Sequence, residues 1–242
     1  MALAMIPALE QAAAATTESD ARVAAGVKKS FVYRHYLKND AIDIAAKDGV
    51  VTLTGTVSED YHKTMAEEIA GDQHGVKSVV DHLEVKTPAP SAGSDAWLIT
   101  RIDAALLFHR SVSAVDTKVA AKDGVVTLTG RADTQAQLDL TTEYARDIDG
   151  VKSVVNQMTV AKAAQTSTRM EDKMDDASIT SSVKLTLLLH RSTSALHTKV
   201  STSKGVVTLS GKARSEAEKA LAEKITADVN GVTRVRNLIT VS

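Results

Sequence analysis

One phrase is written three times along this chain. Asp48 to Gly55 reads DGVVTLTG, Asp123 to Gly130 reads the same, and Lys204 to Gly211 reads KGVVTLSG. A second phrase follows each: HGVKSVV from His74, DGVKSVV from Asp149 and NGVTRVR from Asn230. The leading glycines of the two phrases are 26 residues apart in every copy: Gly49 and Gly75, Gly124 and Gly150, Gly205 and Gly231. Three units of about 67 residues align without a gap, at offsets of 75 and then 81. Spacing held this strictly marks a folded unit copied in tandem, so both fold and function have to be read from that unit.

Each unit alternates between two periodicities. Val23, Val27 and Phe31, Leu98, Ile102 and Leu106, and Ile179, Val183 and Leu187 recur four apart and predict one apolar stripe of a helix. Ser19 or Asp20, Ser94 or Asp95, and Asp175 or Asp176 are its candidate N-caps. A strand follows, on Ile42 and Ile44, on Val115, Thr117 and Val119, and on Leu196, Thr198 and Val200. Gly49, Gly124 and Gly205 supply the hairpin turn into the β-branched VVTL strand. A second helix is expected to begin near Ser58, Asp133 and Ser215. It anchors on Met65 and Ile69, Leu140 and Tyr144, and Leu221 and Ile225, with Gly75, Gly150 and Gly231 as C-cap glycines. The last strand alternates on Val79, Leu83 and Val85, on Val154, Met158 and Val160, and on Val235, Ile239 and Val241. Asp81, Asn156 and Asn237 fall in its inward phase, where a polar side chain has to tie off backbone groups.

The fold class is therefore α+β: three tandem αββαβ domains, each with two helices on one face of a three-stranded mixed sheet. The expected boundaries are 19–86, 94–160 and 175–242. A Pro- and Ala-containing spacer at 87–93 and a longer polar one at 161–174 separate them. Residues 1–18 form an Ala-rich leader that resembles the late part of a secretory signal peptide. No run of 18 apolar residues occurs, so any membrane contact is expected to be peripheral. The chain has no cysteine, which removes disulfides and thiolate metal sites.

Hidden chemistry is sparse. His35, His62, His74 and His82 lie in the first copy without a ligand spacing that repeats elsewhere, so no metal is expected. His109-Arg110-Ser111 and His190-Arg191-Ser192 are equivalent and close the first helix of their copies, where a cation complements the helix dipole. A Ser-His catalytic pair would need a third, orienting group, and none recurs. Gly205 to Lys212 has five residues between its glycines where a phosphate loop has four. No copy has the G-x-x-G loop of a KH module, and net charge is −1 with 3% aromatic residues, so nucleic acid is not an expected partner. No catalytic residue and no cofactor are expected.

A helix, a DGVVTLTG hairpin, a second helix and a GVKSVVN strand, repeated in tandem, resemble BON domains (bacterial OsmY and nodulation). The third copy, with KGVVTLSGKARSEAEKALAEKI and NGVTRVRN, is especially similar to the family's osmotically inducible periplasmic members. The resemblance implies a non-enzymatic periplasmic or envelope module that contacts phospholipids, with a role in envelope stress or in assisting exported proteins. It carries over no catalytic residues.

Charge divides the copies. Residues 19–86 and 94–160 each have a net charge of −2, whereas 175–242 carry 10 Lys and Arg against 6 Asp and Glu, a net +4. Lys199, Lys212, Arg234 and Arg236 occupy the strand phase opposite to the inward residues, and are the candidate lipid-binding residues. The expected partner is a phospholipid surface. The alternative is a chaperone-like or protein-interaction factor whose uncovered sheets engage exported or partner chains.

Overall fold

The apolar stripe of the first copy winds into α1 (residues 20–29), which Ser30 interrupts. Its hydroxyl accepts from Tyr33 N and caps a separate short helix, α2 (Phe31–His35). There follow β1 (Ala41–Lys47), β2 (Val50–Val57), α3 (Asp60–Gly71) and β3 (Ser78–Val85). In the second copy the first helix is unbroken: α4 (Asp95–Phe108), β4 (Thr117–Lys122), β5 (Val125–Ala132), α5 (Gln135–Arg146), β6 (Ser153–Asn156) and β7 (Thr159–Val160). The third copy repeats the order as α6 (Asp176–Leu189), β8 (His197–Ser203), β9 (Val206–Ala213), α7 (Glu216–Ala227) and β10 (Arg234–Val241). This computed structural model describes residues 20–86, 90–112, 116–160, 174–193 and 197–241. The expectations for residues 1–18, for Val115 and Leu196, and for most of both spacers lie outside the described residues.

Each copy is the α+β unit that its periodicity predicts. The VVTL strand is central, antiparallel to its hairpin partner and parallel to the last strand. Its inward residues are sealed: Val51, Leu53, Val126, Leu128, Val207 and Leu209 are all fully buried. In the third copy they pack with Ile179, Val183, Val200, Ile225 and Ile239. The anchors of the second helix are less uniform than the stripe suggests. Met65 and Ile69 are buried, but Leu140, Tyr144 and Leu221 are only half-buried, and Ala145 and Ala222 sit deeper.

The hairpin turns have positive φ at both central residues, 54° and 83° at Asp48 and Gly49, 55° and 81° at Asp123 and Gly124, 52° and 75° at Lys204 and Gly205. That is the type I′ geometry whose twist matches the flanking strands. A further device, not anticipated from the sequence, fastens each turn to the first helix. Asp20, Asp95 and Asp176 accept from the two turn amides, Asp95 at 2.8 Å from Asp123 N and 3.0 Å from Gly124 N, and Asp176 at 2.7 Å from Lys204 N and 2.9 Å from Gly205 N. The N-caps are consequently Ser94 and Asp175, and their acidic neighbours are committed to the turn.

The hydrogen bonds from the Gly124 and Asp123 amides hold the Asp95 carboxyl below the usual carboxylate range. A depressed carboxyl contributes stability that is complete above its unfolded pKa of about 4 and is lost as pH falls through the folded value. Asp95→Asn is therefore expected to melt below the wild type at neutral pH and to converge with it in strong acid. Thermal melts across that range check this, and a constant gap would remove the clasp as its cause.

Corrections to the helix ends are local. The second helices start at Asp60, Gln135 and Glu216, two, two and one residues later than expected, after the caps Glu59, Thr134 and Ser215. In the first copy the amide and hydroxyl of Ser58 go to Asp40, which also lies 2.6 Å from His62 Nδ1. Gly75, Gly150 and Gly231 have φ of 90°, 87° and 82° but are not helix caps, since Asp72, Asp147 and Asp228 end the helices first. A Cβ there would also press on the first helix, 3.1 Å from Leu98 Cδ2 at Gly150 and 2.9 Å from Ile179 Cγ1 at Gly231. Asp81, Asn156 and Asn237 tie off the last strand as expected, each accepting from the amide two residues on (Leu83, Met158 and Ile239) at 2.8, 2.8 and 3.2 Å.

The chain forms two compact units, one ending at Pro88 and one beginning at Ala89. The first copy constitutes one unit; the second and third copies pack together as the other.

Candidate functional site

Both helices of the third copy cover the same side of its sheet, which leaves the opposite face open. The register sets what lies there. Lys199 and Leu238 flank Ser210, Arg236 pairs with Thr208, Arg234 with Val206, and Thr240 with Lys212. All share the phase opposite to Val207, Leu209 and Ile239, so the four cations named from the sequence occupy one uncovered face. All four are exposed, and among the described residues none of them is in an ion pair. Leu238 stands among them at 62% exposure. The positions of Arg236 and Arg234 are Val80 and Ser78 in the first copy, Val155 and Ser153 in the second. Val80 and Val155 are exposed. At the positions of Lys199 and Lys212 the first copy has Asp43 and Thr56 and the second keeps exposed Lys118 and Arg131, so the full set of four cations is assembled in the third copy.

A second constellation lies between the second and third copies. α4 and α6 pack together, and each is followed by a strand-like bridge to the other copy, His109 to Val229 and His190 to Ile148. Arg110 N donates to Asp228 O at 2.9 Å, and Arg191 N to Asp147 O at 2.7 Å. The contacts are reciprocal between equivalent residues, as in an isologous interface. His109 and His190, both fully buried, meet at their Nε2 atoms 3.0 Å apart. Behind each ring is the carboxylate of the opposite copy: His190 Nδ1 donates to Asp147 Oδ2 at 3.2 Å. His109 Nδ1 is 3.2 Å from Asp228 Oδ2, outside hydrogen-bond geometry.

The symmetry is not complete. Tyr144 stacks on His109 with ring centroids 3.8 Å apart and donates to Asp228 Oδ2 at 2.7 Å, while the third copy has Ile225 at that position. Burial pushes the Tyr144 hydroxyl's pKa up, and the Asp228 charge adds to it. Burial also pushes the His109 imidazole down, only partly opposed by Asp228. For Asp228 burial acts upward, but contacts with His109, Ser111 and Tyr144 outweigh it and hold the carboxyl low. Asp147 is held low in the same way by His190 and Ser192.

These geometries correct the dipole reading of the His-Arg-Ser segments. Their histidines are buried partners of a neighbouring copy. Nor do they make a Ser-His pair: Ser111 and Ser192 donate to Asp228 and Asp147, the same carboxylates that back the imidazoles. With the carboxylate between hydroxyl and ring, no base faces the serine. Among the described residues no group of three or more His, Asp or Glu side chains could hold a metal, and no helix is long and apolar enough to cross a membrane.

A family model for the BON domain matches residues 19–87, 94–162 and 175–242. The chain belongs to the BON domain family. It is 34% identical to osmotically-inducible protein Y of Escherichia coli (strain K12) over 143 residues, 59% of this chain and 70% of that protein. It is 31% identical over 116 residues to the outer membrane lipoprotein DolP of Haemophilus influenzae, 47% of this chain and 60% of that protein. It is 30% identical over 122 residues to a 21 kDa hemolysin of Actinobacillus pleuropneumoniae, 49% of this chain and 62% of that protein.

Pairing of BON copies left a trace in the sequence that the core stripe hides. Ala104, Ala105 and Phe108 in α4, with Leu185 and Leu189 in α6, are buried although they lie off the stripe. Their first-copy equivalents include Lys29, Tyr33 and, beside them, Arg34 in place of the histidine. A helix apolar on two sides has two surfaces to cover, and only one belongs to its own sheet.

Proposed function

We propose that this BON-domain protein acts by binding, at the bacterial envelope, and that it meets anionic phospholipid through the open sheet face of its third copy. The reading rests on one observation: Lys199, Lys212, Arg234 and Arg236 share an uncovered face around exposed Leu238. A basic residue near an anionic bilayer gains about 1 kcal/mol, so four on one face reach about 4 kcal/mol before Leu238 adds apolar contact. An envelope location and an osmotic role accord with the names of the relatives, an osmotically-inducible protein in E. coli and an outer membrane lipoprotein in H. influenzae.

Co-sedimentation with phosphatidylglycerol-containing and with purely phosphatidylcholine vesicles tests it. The wild type is expected to pellet with the anionic vesicles only, and to be released as salt shortens the Debye length toward about 8 Å. Reversal of all four residues to Glu is expected to abolish pelleting while the circular dichroism spectrum and melt stay those of a folded protein. Equal binding to neutral vesicles, or no loss in the variant, excludes this face and favours the protein-interaction reading, for which exposed Val80 and Val155 on the other sheets are the surfaces to test.

A further inference from the structure

The contact between His109 and His190 obeys a proton rule. Two imidazole nitrogens 3.0 Å apart form a hydrogen bond only if one of them keeps its lone pair. A neutral pair satisfies this, and so does a pair holding one added proton. A pair holding two sets N–H against N–H, charge against charge, where both rings are fully buried. We propose that these histidines form an acid-released latch, in which uptake of the second proton separates the second and third copies without unfolding either. This goes beyond the binding reading and does not depend on it.

Asp228 and Asp147 lie on the Nδ1 sides, where they favour one imidazolium but cannot relieve two donors that share the Nε2 contact. Tyr144 and Ser111 occupy Asp228 as donors, and Ser192 occupies Asp147, so neither carboxylate is free to turn toward a second charge. Arg110 adds a cation 3.8 Å from Asp228 and anchors on the Val232 carbonyl at 3.1 Å. Arg191 follows His190 and donates its amide to Asp147 O, and Arg101 reaches Leu189 O at 3.4 Å. The two carboxylates are thus committed to donors, with Arg110 beside one of them, and a second proton on the pair meets the charge of the first. Burial lowers the proton affinity of His109 in the closed state, so the open state binds the proton better and acid favours opening. The third copy keeps its own sheet and core when the latch opens, because that core is drawn wholly from its own residues.

Amide hydrogen exchange of the full chain, between about pH 7.5 and about pH 5, reads the latch directly across the range where an imidazole titrates. The amides of Arg110, Arg191 and Asn230, which donate across the junction, are expected to lose at least about tenfold in protection on acidification, after correction for intrinsic exchange. The amides of β9 are expected to keep theirs. The double variant His109→Gln, His190→Gln retains a neutral donor and acceptor at every pH and is expected to lose the acid response. Proton NMR of the wild-type imidazoles is a second measurement, independent of how the variant folds: titration of the pair is expected to coincide with the loss of junction protection. Junction amides that stay protected while both histidines titrate, or an acid response undiminished in the Gln variant, would overturn the latch.

Discussion

Replacing Leu209 with Ala is expected to destabilise the third copy by about 2 to 5 kcal/mol, the range measured for emptying a buried leucine site. Leu209 is fully buried in the central strand, and its neighbours are contributed from both sides by α6, α7 and the flanking strands. Domains as a class hold only about 5 to 15 kcal/mol, and one this small buries a modest share of its surface. The change therefore removes a large part of what keeps the copy folded. Leu221, half-buried at the margin of the same cluster, should cost clearly less. Urea denaturation of the two single variants decides the matter; an unchanged midpoint for Leu209→Ala would mean that the core has been placed wrongly.

The other large effect is expected at the junction. Asp228→Ala strands the buried His109 ring, the Tyr144 hydroxyl and the Ser111 hydroxyl at once. Each buried donor left without its acceptor costs about 1 to 3 kcal/mol, and the Tyr144 and Ser111 hydroxyls lose theirs together. Asp147→Ala orphans a comparable set, His190 Nδ1 with the amide and hydroxyl of Ser192, and should cost about as much. The loss should appear as uncoupled melting of the second and third copies by calorimetry. A single transition at the wild-type temperature in Asp228→Ala would show that the carboxylate contributes nothing to their union.

Within a copy, most of the fold was legible because period and punctuation agree. Alternation in VVTL found the central strand, and the spacing of Leu98, Ile102 and Leu106 found the helix that covers it. Two things escaped for a common reason: they depend on which of several chemically suitable groups is close in space. Asp95 and Asp176 look like caps beside Ser94 and Asp175, and only the path of the chain reveals that they reach a turn 28 residues away. His109 and His190 look like exposed helix ends until the second apolar side of α4 and α6 is matched to a neighbouring copy. The basic sheet face was readable because strand phase is a two-valued property, so a residue not facing in must face out.

The identity of the central strands carries a consequence for how the chain finds its structure. β2 and β5 share the sequence VVTLTG at their core, so every ladder bond that β1 makes to β2 could be made equally well to β5. Chemistry cannot choose between them; proximity can. Closing β1 onto β2 spans a two-residue turn, while reaching β5 would enclose almost eighty residues. By the logarithmic law of loop closure the longer path is poorer by about 3 kcal/mol. Fidelity among near-identical neighbours thus comes from chain entropy, and it is greatest while each copy emerges and closes before its twin has been synthesised.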